Sequence, residues 1–251
     1  MKDALNGTWL GHPVHPVLTD IPLGAWTTAV ALDFVSNDDE GLQRAADISV
    51  WLGLAGAAGS AVTGVAQWSD LDGIDRRVGL LHGLLNSGAT VLYLGSALLR
   101  GTGQRRSAVT LSTLGYLTSL FAAYLGGELA YAKGIGVNHV AFEAGPDDFV
   151  AVMDVQDLPE GKLTRVDVSG IPAVLLKQGK AIYAIGATCS HLGGPLDEGT
   201  VQDGVVMCPW HGSCFRMSDG RIVHGPATYA QPTFAVRTRN GKIELRRLDH
   251  A

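Results

Sequence analysis

Hydrophobic and polar positions divide this chain near residue 140 into halves of different period. In the first half, apolar residues form four long runs, at about 17–35, 45–66, 78–99 and 108–129. Each approaches the ~20 residues that a helix needs to cross a bilayer. Asp20, Asp33 and Asp47 sit at or near run ends, and Glu128 closes the last. A soluble four-helix bundle is the alternative, but it should show a polar stripe on each turn, and these runs mostly lack one. Four membrane helices are therefore expected. In the second half the pattern shortens to strand-like runs at 149–152, 166–168, 173–176, 181–185, 205–207, 233–237 and 242–245. Gly179-Lys180 and Asn240-Gly241 mark hairpin turns between them. The expected fold class is multidomain: an all-α four-helix transmembrane bundle, then an all-β domain of small antiparallel sheets.

The boundaries read as 1–138 for the helical domain, 139–148 for a Gly-containing, acidic connector, and 149–251 for the β domain. Residues 1–140 hold 8 Lys/Arg and 11 Asp/Glu, and the remainder 11 and 13. Neither half has the clustered positive face that nucleic acid requires, so no nucleic-acid partner is expected. Small residues repeat every four positions at Gly56, Ser60 and Gly64 and at Gly79, Gly83 and Ser87, which lets helices approach closely in lipid. Trp9 and Trp68 flank membrane runs as interfacial aromatics. Sixteen mostly uncharged residues without a small-residue cleavage site precede the first run, so no cleavable leader is expected. Four crossings place both termini on one side. Lys2, Arg76, Arg77 and Lys133 oppose Arg44, Arg100, Arg105 and Arg106 across the membrane, a balance that hardly fixes orientation. The absence of cysteine pairing tilts the expectation toward a multi-pass protein with its β domain in the cytoplasm.

Candidate chemistry concentrates in Cys189-Ser190-His191, answered seventeen residues after His191 by Cys208-Pro209-Trp210-His211. Two thiolates and two imidazoles suit one tetrahedral zinc. They equally suit a two-iron two-sulfur cluster, with the cysteines on one iron and the histidines on the other. Zinc fingers usually segregate a Cys pair from a His pair, whereas each pair here is mixed, and this favours the cluster. Cys189-x-His191-x-Gly193 and Cys208-Pro209-Trp210-His211-Gly212-Ser213 resemble the two boxes of a Rieske iron–sulfur domain. The likeness spans about residues 149–247 and includes Gly225-Pro226-Ala227, similar to the proline loop that covers the cluster in that family. The resemblance implies Cys189, His191, Cys208 and His211 as ligands of one [2Fe-2S] cluster.

Imidazoles donate less charge than thiolates, so the histidine-bound iron would be the reducible one, at a potential above that of all-cysteine clusters. A histidine nitrogen facing solvent would couple electron transfer to pH. Respiratory Rieske subunits add a disulfide beside the boxes, and the matching positions here are Gly194 and Trp210. The missing brace resembles the ferredoxin and oxygenase branch. Ser213 is read either as a hydroxyl donor to the cluster or as a serine closing a turn. The third cysteine, Cys214, is expected to be buried packing.

Gly11-His12-Pro13-Val14-His15-Pro16, with His82 in the third run and Gly126-Gly127-Glu128 near the end of the fourth, resembles a bacterial four-helix membrane-domain family of unknown function with a His-Pro-x-His-Pro signature. That likeness covers about residues 8–138. His12, His15 and His82 form a possible second site for haem, a metal or a quinone, with His139 and the carboxylates Asp70, Asp72 and Asp75 expected near the same face. The alternative is structural: prolines setting the start of the first helix, and His82 bonded to backbone or to Asn86.

The leading expectation is a membrane-tethered one-electron carrier, an oxidoreductase component exchanging electrons with a partner protein or a quinone. A redox-sensing or binding module anchored by the helices is the second class. A complete Rieske oxygenase is rejected, because it needs a mononuclear iron in a large domain after the cluster and the sequence stops at Ala251. Partner, direction of electron flow, potential and oligomeric state are not legible.

Overall fold

The computed structural model describes residues 1–143 and 145–248. Position 144 of the expected connector and positions 249–251 of the expected β domain lie outside the described residues. The chain forms two compact units: Val14–Ile135, and Met1–Pro13 together with Gly136 onward.

The helical unit contains α2 (Val14–Val35), α3 (Glu40–Trp68), α4 (Gly73–Gly101) and α5 (Arg105–Gly127), the last extended by a π turn at Glu128–Ala132. Pro16 falls in the first turn of α2, where a missing N–H costs nothing, and Pro22 lies inside it. Asp39 starts α3 by accepting the Leu42 N–H at 2.9 Å. Three helices, Glu40–Trp68, Gly73–Gly101 and Arg105–Ala132, are long and apolar enough to cross a membrane. The first run is helical over 22 residues but carries His15, Asp20, Pro22 and Asp33 and, among the described residues, is not one of those three.

Packing explains some of the small-residue repeats and not others. A Cβ at Gly56 would stand 2.8 Å from Pro22, and one at Gly64 2.8 Å from the His15 ring. Gly79 makes the same kind of room for Trp68. Gly83 has nothing within 4 Å of its would-be Cβ, and Ser87 is exposed, so the second strip is not a packing seam beyond its first member. Each helix contributes one charge to an ion-paired quartet of Asp33, Asp47, Arg100 and Arg105. Arg100 pairs with Asp33 and reaches Asp47 at 2.6 Å, and Arg105 reaches Asp33 at 2.8 Å and Asp47 at 3.0 Å. The Asp33 and Arg100 side chains are 0% and 4% exposed and Asp47 is 38% exposed, so Asp33 is an interior ion-pair partner as well as a run-end charge.

The second unit opens with the short α1 (Lys2–Asn6). Its β strands are β1 (Val150–Asp154), β2 (Leu163–Val168), β3 (Ile171–Gln178), β4 (Ala181–Gly186), β5 (Thr200–Gln202), β6 (Val205–Met207), β7 (Cys214–Arg216), β8 (Ile222–His224), β9 (Thr233–Arg239) and β10 (Lys242–Leu248). They make an antiparallel sheet of order β1-β10-β9-β4-β3-β2 and a smaller one of order β5-β6-β7-β8. The expected hairpins form at Gln178↔Ala181 and Arg239↔Lys242. Asn240 and Gly241 both have positive φ, 51° and 78°, as a primed two-residue turn demands. β3 is buried on both faces. Ala173 and Leu175 join a core with Ala184, Phe234, Ile243 and Leu245. Val174 and Leu176 join another with Leu196, Val206, Phe215, Cys189 and Cys208. The second core is the floor on which the Cys/His loops stand.

Candidate metal centre

Two six-residue loops carry the motif residues, and they share one backbone frame. In the first, the Cys189 N–H donates to Gly194 O at 2.8 Å and the Gly193 N–H to Cys189 O at 2.9 Å. In the second, the Cys208 N–H donates to Ser213 O at 2.8 Å and the Gly212 N–H to Cys208 O at 3.1 Å. Each loop closes on antiparallel pairing, Thr188↔Pro195 in one and Met207↔Cys214 in the other. Each has a glycine at its fifth position with φ near 75°, Gly193 at 75° and Gly212 at 74°. Only glycine takes that conformation without strain, which accounts for the Gly in both boxes.

The frames bring the two thiols into hydrogen-bond contact at the mouth of the second core. Cys208 is lowered to about 6, first by the hydrogen bond from Cys189 and then by the Trp210 and His211 N–H groups. Cys189 is pushed up, first as the donor to Cys208 and then by burial, although the His191 and Leu192 N–H groups favour its thiolate. The two thiols thus lie side by side, with four backbone N–H groups aimed to favour their anions. The His191 and His211 rings meet edge to face at 5.1 Å. Burial, and then His211, push His191 down to about 3, so its imidazole is neutral, the form that binds metal. Its Nδ1 is buried without a hydrogen-bond partner.

Among the described residues, no three His, Cys, Asp or Glu side chains are grouped as a site for a single ion requires. The donors form a sulfur pair and an imidazole pair, an arrangement suited to two metal atoms and poorly suited to one tetrahedral zinc. The positions that carry a disulfide in respiratory Rieske subunits also meet here. A Cβ on Gly194 would stand 3.1 Å from the Trp210 ring and 2.8 Å from Cys208 Sγ. An indole stacked on a bare glycine occupies the place of the covalent brace.

Ser190 and Gln231 support these loops and had no role in the sequence reading. Ser190 is buried, and its hydroxyl donates to Tyr229 O at 2.6 Å. Gln231 is buried, and with its amide oriented by its neighbours it donates to Thr188 O at 2.9 Å and accepts the Ser190 N–H at 2.7 Å. Ser213 accepts the Ala227 N–H at 3.0 Å, which ties the second loop to segment 225–229. Cys214 is only half buried, with Sγ 3.4 Å from Gly212 O. The expectation of buried packing holds only in part, because Cys214 alternates along its strand with Phe215, and it is Phe215 that enters the core.

The structure gives each histidine of the possible second site protein partners of its own. His12 belongs to the unit containing the β strands, His15 and His82 to the helical unit. The His15 Nδ1–H donates to Ser60 O at 3.0 Å. The His82 Nδ1–H donates to Ala122 O at 2.8 Å, and its Nε2 accepts from Asn86 at 3.2 Å. A carbonyl can only accept, so these partners fix both tautomers. Both His82 nitrogens are occupied by the protein.

A model of the Rieske [2Fe-2S] domain matches residues 148–235, and one described as predicted membrane protein (DUF2231) matches residues 11–139. Human apoptosis-inducing factor 3 is 35% identical over 103 residues, 40% of this chain. The chain spans 17% of that protein's length. The ferredoxin subunit of 3-phenylpropionate/cinnamic acid dioxygenase from Escherichia coli K12 is 37% identical over 90 residues, 36% of this chain and 84% of the subunit. A chain in a solved complex of reduced oxygenase and oxidized ferredoxin in carbazole 1,9a-dioxygenase aligns at 27% identity over 41% of this chain and 99% of its own length, with a TM-score of 0.39.

Proposed function

Because this chain belongs to the DUF2231 family of predicted membrane proteins and joins that domain to a Rieske-type ferredoxin domain, we propose that it is a membrane-tethered one-electron carrier whose [2Fe-2S] cluster is held by Cys189 and Cys208 on one iron and His191 and His211 on the other. The observation that carries the ligand set is the buried His191 Nδ1, which has no protein partner. A buried imidazole nitrogen left unpaired is costly unless it has a ligand.

When bound, the cluster supplies a site that takes up and returns one electron at a potential raised by histidine ligation. The chain does the rest. The four loop N–H groups favour the thiolate form that binds iron, and the apolar floor of Leu196, Val206 and Phe215 excludes water from beneath the sulfurs. Trp210, more than half exposed beside His211, offers an apolar contact for a redox partner, either a protein or a quinone. The ferredoxin subunits among the relatives support a protein. Residues 14–138 serve as membrane domain, 139–148 as connector and 149–251 as electron-carrying domain, with 1–13 folding with the last. The unpaired cysteines support a cytoplasmic β domain. A haem or quinone at His12, His15 and His82 is not adopted, since His82 already has partners on both nitrogens.

The test is electron paramagnetic resonance of dithionite-reduced, detergent-purified protein, beside its optical spectrum. A rhombic Rieske signal in the parent that is lost in His191→Ala supports the reading. A signal retained in both His191→Ala and His211→Ala would sink the ligand assignment, and haem bands would restore the second site.

A further inference from the structure

The segment Met1–Pro13 lies in the same compact unit as the β strands, and its polar side chains converge on one loop there. Asp3 Oδ1 accepts the Gly225 N–H at 3.2 Å and lies 3.2 Å from His224 Nδ1. The Thr8 hydroxyl donates to Ala227 O at 3.4 Å. The His12 ring meets Tyr229 edge-on at 5.8 Å, with its Nδ1 3.4 Å from the phenol oxygen. A Cβ at Gly225 would stand 2.9 Å from Thr8 Oγ1 and 3.0 Å from Asp3 Oδ1, so glycine is what admits these side chains. Loop 224–229 in turn grips both ligand loops, through the Ala227 N–H on Ser213 Oγ and through Tyr229 O, which receives the Ser190 hydroxyl.

We propose that the N-terminal segment is a positioning strap for the metal centre, in which Asp3 and Thr8 hold loop 224–229, and through it Ser213 and Ser190, in the arrangement that sets the reduction potential. The inference rests on the cluster reading above. Asp3 and Thr8 pair with loop 224–229, one step removed from the proposed ligands, and act through it. Hydrogen-bonding groups around metal ligands tune the metal, and the Ala227 N–H fixes the Ser213 hydroxyl two residues from His211. Held in this way, Ser213 Oγ accepts from Ala227 and keeps its own proton free to donate toward the proposed centre, a hydrogen bond that favours the reduced state. Cutting the strap loosens that donor and therefore lowers the potential.

The experiment is a redox titration of full-length protein in detergent, read by electron paramagnetic resonance, together with the rate of cluster loss to an iron chelator. In Asp3→Ala/Thr8→Ala, the reduced-to-oxidised ratio at the parent's midpoint falls about threefold, a downward shift of about 30 mV at 59 mV per decade for one electron. Chelation speeds up several-fold, and iron content as purified is unchanged. Asp3→Asn keeps an acceptor oxygen and stays near the parent in both readouts. A double variant with the parent's midpoint and chelation rate overturns the proposal, as does loss of the cluster in Asp3→Asn as well as in the double variant. Loss in the double variant alone supports it. A parent without any Rieske signal would instead overturn the underlying cluster reading, so the two failures are distinguishable.

Discussion

His82 and His191 are both shielded from water, one among helices and one in a β-supported loop, and their nitrogens are treated in opposite ways. The helical unit gives His82 an acceptor on one side and a donor on the other, and it seats His15 against Gly64 with its Nδ1 on Ser60 O. The β unit buries His191 Nδ1 and offers it nothing. Charges follow the same division. Asp33 and Asp47 are matched by Arg100 and Arg105, whereas the two thiols face each other and backbone N–H groups that favour their anions. Groups whose valences are filled by the protein hold the structure up. Groups left wanting a partner mark the place where something else binds.

The sharpest way to break this contrast is His191→Ala, for which complete loss of the Rieske signal is expected with membrane insertion unchanged. Next in size is the quartet. Asp33→Asn leaves Arg100 buried and underpaired, and removing one member of a buried ion pair costs about 3–5 kcal/mol. The thermal midpoint in detergent should fall steeply, while the iron–sulfur spectrum at low temperature keeps its shape. An equal fall for the more exposed Asp47 would contradict the ordering by burial. His82→Leu should be milder, about 1–3 kcal/mol from unsatisfying Ala122 O and Asn86, and should leave optical and magnetic spectra untouched. A spectral change there would show that the helical histidines serve a cofactor.

The smallest effect sharpens the comparison within the β unit. Burial raises the Glu143 carboxyl, offset in part by its hydrogen bond to Thr188, and its Oε2 has no partner. A carboxyl raised in the fold is penalised once ionised, so its contribution to stability declines as pH climbs from the ordinary glutamate range through the raised value. Glu143→Gln should therefore be slightly more stable than the parent at neutral pH. The gain should shrink as pH falls and vanish below the ordinary glutamate range. Thermal scans of both proteins at several pH values measure this, and a gain that grows on acidification would refute it.

The long helices were legible because their apolar runs exceed any strand, and the two boxes were legible because Cys, His and Gly recur at tight spacing. β5, β7 and β8 were missed because three-residue strands have no period to read. The quartet was missed for a different reason. Asp33 and Arg100 are 67 positions apart, and each looks like an ordinary helix-end charge until α2 and α4 are packed. Ser190, Gln231 and the partners of loop 224–229 are likewise common residues whose role exists only through contacts distant in sequence. The first thirteen residues read as a preamble to the membrane run, and nothing in their pattern pointed to the β unit with which they fold.

That last feature bears on the order in which the molecule is made. Asp3 and the loop it grips are separated by 222 positions. At chain growth of roughly 5–20 residues per second, the N-terminus waits on the order of 10–45 s for its docking site to be synthesised. All four helices are translated in that interval, and both Cys/His loops emerge before the loop that fastens them. Asp3 and Thr8 thus leave the ribosome long before the loop on which they close. A bulky fusion at the N-terminus would consequently disturb a site more than 180 positions downstream while leaving every helix intact.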